Sequence, residues 1–65
     1  MNIKRACIYP KDIQLITGRS ERYGRKLMHD IRNYFGKEPY QFITLDEFSE
    51  YSGIKLEIIE QYIFD

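Results

Sequence analysis

Apolar residues recur at helical spacing in four short stretches, each bounded by a polar cap, a proline or a glycine. In "YPKDIQLITG", Ile13 and Ile16 lie three residues apart on one face. Pro10 suits a first helical turn, where its missing N–H costs nothing, and Gly18 stands where a left-handed C-cap is favoured. The pattern predicts a helix over about 10–17. Ser20 caps a second helix, with Glu21 favourable in its first turn, running to about residue 35 and stopping at Gly36. "KEPYQF" reads as a loop, because Pro39 disfavours a helix at Glu38. Thr44 and Glu47 form a capping box that opens a third helix ending near Ser52, with Gly53 as its stop. A last helix, about 56–64, carries Leu56, Ile59 and Ile63 on one stripe. "RACIY" and "QFIT" read as short extended pieces that could pair. The expected fold is all-α: a compact four-helix domain of two helix–turn–helix-like halves, with at most a minor β-strand pair.

An internal repeat accompanies this reading. An offset of 35 places Gly18 on Gly53, Ile13 on Phe48, Ile16 on Tyr51, Leu27 on Tyr62, Asp12 on Glu47 and Ile8 on Ile43. Both halves run as extended lead-in, short helix, glycine turn, helix. Identities are few, so duplication and convergence on a common unit both fit.

At 100° per residue, Tyr23, Leu27, Ile31, Tyr34 and Phe35 form one apolar arc of the second helix, with Met28 at its margin. Arg22, Arg25, Lys26, His29, Arg32 and Asn33 fill the opposite arc, and Glu21 and Asp30 fall at the borders. The plain reading is a solvated face. Such faces usually mix signs to gain i,i+4 pairs. An arc of basic groups without an acid points instead to an anionic partner, and the arginine fork suits phosphate or a guanine edge.

Charge along the chain sharpens that contrast. The formal net charge is zero over 65 residues, yet residues 1–37 hold nine Lys/Arg against three acids, giving +6. Residues 38–65 hold seven acids against Lys55 alone, giving −6. The single domain, 1–65, thus divides into a basic half and an acidic half, a pattern that points to a charged partner or to copies packing head to tail. The single Cys7 excludes an internal disulfide and fits a reducing cytoplasm. The N-terminal stretch is too short and broken for a signal peptide, and no run approaches the ~18 apolar residues of a membrane span.

Little in the chain suggests catalysis. His29 has no second His and no nearby Cys to complete a metal site. A Cys7–His29 nucleophile pair lacks an orienting group, and Cys7 reads better as a small buried hydrophobe. Asp46, Glu47 and Glu50 are explained by capping and solvation. The four glycines are isolated terminators, not a phosphate loop. No enzyme activity, cofactor, metal or small-molecule substrate is expected.

"DIQLITGRSERYGRKL" resembles a helix–turn–helix DNA-binding segment of the excisionase and MerR-type group, in which an apolar helix, a Gly-x-Ser turn and a basic recognition helix follow one another. The chain is also similar to a set of small bacterial proteins carrying "YPKDIQLITG" and "QFITLDEFSEYSGIK". The resemblance implies that residues after the turn enter the major groove of double-stranded DNA. It implicates Ser20, Arg22, Tyr23, Arg25, Lys26 and His29, with Arg19 in the turn and Arg32 as a later phosphate contact. Two positions depart from the pattern: Arg19 and Gly24 stand where apolar residues are usual, whereas the second half has Ile54 and Ile59 there.

The expectation is a small DNA-binding protein, a transcriptional regulator or accessory factor, working from the cytoplasm, with a homodimer as one candidate assembly. The alternative is a protein-interaction module built on Tyr9, Tyr34, Tyr40, Tyr51 and Tyr62, since tyrosine and arginine are enriched at hot spots.

Overall fold

A computed structural model of the chain describes residues 5–63. Among these residues four helices follow in order: α1 (Pro10–Thr17), α2 (Glu21–Phe35), α3 (Leu45–Ser52) and α4 (Leu56–Glu60). The protein is an all-α domain of two helix–turn–helix-like halves. Starts of α1 and α3, and of α2 and α4, are each separated by the 35-residue offset.

The correspondence reaches individual hydrogen bonds. Gly18 and Gly53 cap α1 and α3 at φ 75° and 79° and donate to Gln14 and Ser49 carbonyls, both at 2.9 Å. Without a Cβ, glycine reaches this left-handed region freely. Thr17 Oγ1 accepts the Arg19 N–H and Ser52 Oγ the Ile54 N–H, each at 3.2 Å. At the other end, Asp12 and Glu47 accept the N–H of Tyr9 (2.8 Å) and Thr44 (2.9 Å). Each acid also holds a cation from outside its helix. Arg5 grips Asp12 through two bonds of 2.7 and 3.0 Å, and Lys37 reaches Glu47 at 3.0 Å.

The two lead-ins meet. Ile8 donates to the Ile43 carbonyl and Leu45 to the Ala6 carbonyl, each at 2.9 Å, and between them Cys7 faces Thr44 in an isolated antiparallel bridge. The expected pairing of "RACIY" with "QFIT" is therefore a single bridge, with no strand formed among the described residues. Cys7 is half-buried there, more open than a core residue.

Ile8, Ile13, Met28, Ile31, Ile43, Leu45, Phe48 and Ile59 make one core. The buried side of α2 is turned from the expected arc: Gly24, Met28 and Ile31 are buried, and Tyr34 is 64% exposed. Gly24 decides this rotation. A Cβ there would stand 2.6 Å from the Pro10 carbonyl oxygen, so α1 crosses α2 with backbone against backbone. Its counterpart Ile59 is fully buried, so the second half fills with a side chain the place that the first half fills with main chain.

The last helix is shorter than the expected 56–64. After Glu60 the bonds tighten to i−3 spacing, Tyr62 donating to Ile59 and Ile63 to Glu60, a common way to close a helix end. Ile63 still packs against the core. Residue 64 lies outside the described residues.

Candidate nucleic-acid interface

Three residues, Gly18, Arg19 and Ser20, join α1 to α2, the turn length of a helix–turn–helix unit. Thr17 locks the entry by donating to the Ile13 carbonyl at 2.7 Å. Ser20 Oγ accepts the Tyr23 N–H at 3.1 Å, satisfying one N-terminal donor. Its hydroxyl hydrogen remains able to donate outward, since a serine hydroxyl is donor and acceptor at once.

Arg19, Ser20, Arg22, Arg25, Lys26 and His29 are all exposed, and Arg32 is half-buried. Arg19 lies over the Tyr23 ring, 4.8 Å from its centroid. This cation–π contact gives the turn arginine a seat outside the core, where Ile54 of the second half packs inward. Tyr23 is half-buried and serves as that platform.

The basic face is more balanced than the wheel implied. Arg25 pairs with Glu21 at 3.3 Å and Lys26 with Asp30 at 3.1 Å, both at i,i+4 spacing. The border acids therefore reach into the arc. These pairs are exposed and contribute little, about 0.3–0.5 kcal/mol each, so a phosphate competes with them easily. His29 Nε2 lies 3.2 Å from Asn33 Nδ2. Arg32 donates from Nε to the Gln41 carbonyl at 3.0 Å, which fastens the end of α2 to the inter-half loop and leaves its two terminal nitrogens for a second partner. Arg22, at the second position of α2, has no ion-pair partner among the described residues.

Lys11 was missed by sequence reasoning. It is exposed on α1 and lines a shallow depression with Tyr9, Leu15 and Glu21 beside the start of α2. Its place two residues before Ile13, about 200° around the helix, was the available signal.

Among the described residues no group of three or more His, Cys, Asp or Glu side chains is placed to hold a metal ion. Among them, too, no helix is long and apolar enough to cross a membrane. Among the described residues Glu47 alone shows a resolved shift: burial pushes its carboxyl up, but the Thr44 N–H, the Lys37 ammonium and the Thr44 side chain outweigh that and hold it below its usual value.

The fold defines the class, a small all-α domain with two helix–turn–helix-like halves. Compared with models of protein families, with curated proteins and with solved structures, the chain finds no match.

Proposed function

We propose that this protein is a DNA-binding domain that presents the exposed face of α2 to the major groove, as a transcriptional regulator or accessory factor. The carrying observation is Arg22: exposed, without an ion pair among the described residues, one position inside a helix that leaves a three-residue turn. Around it stand Arg19, Ser20, Arg25, Lys26 and His29, all exposed. Arginine near the start of such a helix suits bidentate contact with guanine, while Lys26 and Arg32 suit phosphates. A shift assay with mixed duplex DNA tests the reading. Affinity should fall with salt at a log–log slope on the order of −3 to −4 for one copy, about −0.9 per phosphate contact. Absence of binding at low salt would remove it.

A second reading, a protein-interaction module, draws on exposed aromatics. Tyr34, Tyr40 and Phe42 are 64%, 80% and 64% exposed, and solvent-facing aromatics of this size suit a hot spot. Salt-insensitive capture of a protein partner, lost on replacing these side chains, would favour it over DNA binding.

A further inference from the structure

The repeat sets two oppositely charged faces in equivalent places. Arg22 and Arg25 occupy the second and fifth positions of α2; Glu57 and Glu60 occupy the second and fifth positions of α4. Each helix follows the same glycine turn, with matching cap dihedrals and the same bond from the residue after the glycine. Both charge pairs therefore stand at i,i+3 spacing on the side of their helix next to the turn, with like separations and opposite signs.

Glu57 and Glu60 have no ion-pair partner among the described residues, and neither does Arg22. Glu60 also lines an open groove between the start of α3 and α4, with Asp46, Leu45 and Leu56. Arg5 borders that groove, but its guanidinium is engaged by Asp12. The groove thus offers acids above an apolar floor, a fit for the long stem and charged head of an arginine.

We infer that the basic face of α2 docks on the acidic face of α4 in a second copy of this chain, head to tail. The contact is heterologous, using different patches on the two copies, so it leaves one basic and one acidic face free and extends into short open chains unless the rotation closes a ring. Its area is small and its attraction largely ionic, so it is weak and salt-sensitive. It occupies the α2 face proposed for DNA, but it does not rest on that reading and is tested without DNA.

Sedimentation velocity of the full chain over a concentration series provides the test. At about 25 mM salt, where the Debye length is about 20 Å, the weight-average mass should rise with concentration, and at about 250 mM the apparent dissociation constant should weaken about tenfold or more. Arg22→Glu and Glu57→Arg should each weaken association by about fivefold or more, and an equal mixture of the two should recover it, because each then offers the charge the other lacks. A helical CD spectrum secures the fold of each variant; Arg22→Gln and Glu57→Gln serve if either reversal unfolds, each weakening association alone and recovering it on mixing as pairs of two copies, because the Glu57→Gln copy keeps its basic α2 face and the Arg22→Gln copy its acidic α4 face. A wild type that stays monomeric at low salt, association unchanged in the variants, or a folded mixture without recovery would each overturn the proposal.

Discussion

Ile8 donates its N–H to the carbonyl of Ile43 at 2.9 Å, and these two residues are separated by the same 35 positions that relate the halves of the chain. Equivalent residues of the two halves thus meet within the core, both essentially fully buried. The halves share one core through this pair, and neither has an independent one.

Gly24→Ala should be destabilising although it lies mid-helix, where alanine normally gains about 1 kcal/mol over glycine. The added Cβ would press on the Pro10 carbonyl at 2.6 Å, main chain that cannot rotate away. A net loss of about 1–3 kcal/mol in a urea melt is expected, as for overpacked cores. A gain in stability would show that α1 and α2 separate at little cost.

Arg5→Met and Lys37→Met should differ. The Asp12 side chain is 7% exposed and depends on Arg5 for two of its bonds. Removing that partner strands a buried charge, at about 3–5 kcal/mol. A domain of this size is worth only about 3–10 kcal/mol by the usual per-residue scale, so Arg5→Met should be largely unfolded on mild warming. Glu47 is more open, at 25%, so Lys37→Met should cost about 1–2 kcal/mol. Thermal melts of both variants, side by side, decide the order.

Acid should act through Glu47. Its folded pKa lies below the ordinary carboxylate value because Thr44 and Lys37 outweigh burial. A depressed folded pKa contributes stability that is fully present above the unfolded value and is lost as pH falls through the folded one. Glu47→Gln should lower stability at neutral pH yet flatten the acid limb of a stability–pH curve from urea melts. An unchanged acid limb would place the sensitivity elsewhere.

On DNA, Arg22→Ala should cost about 1–3 kcal/mol on a preferred site and blur sequence preference. Arg32→Ala should weaken all sequences alike and reduce the salt slope by about one. It should also loosen the loop it holds through Gln41, visible as a lower melting temperature. Glu57→Gln with Glu60→Gln should leave DNA affinity equal or raise it, since exposed Glu57 and half-buried Glu60 have no ion-pair partner among the described residues and repel phosphate. Shift titrations at two salt concentrations separate these outcomes.

The sequence by itself determined where the first three helices begin and end. Ser20, Thr44, Gly18, Gly36 and Gly53 act on backbone groups within four residues of themselves, so their effects are local and readable. It also determined the 35-residue register and the exposure of Arg19, Ser20, Arg22, Arg25, Lys26 and His29. The tertiary structure decided what depends on contact between distant segments. Gly24 reads as a flaw in an amphipathic pattern until Pro10 lies across it, and that crossing turns α2 so that Met28 is buried and Tyr34 exposed. The cations on Asp12 and Glu47 come from Arg5 and Lys37, seven and ten residues away, through turns that no helical spacing encodes. The end of α4 was likewise a tertiary matter: no glycine stops it, and the chain tightens as Ile63 packs on the core. Hydrogen bonds near in sequence leave their signature in residue type, whereas the rotation of a helix about its axis is set by whichever distant surface packs against it.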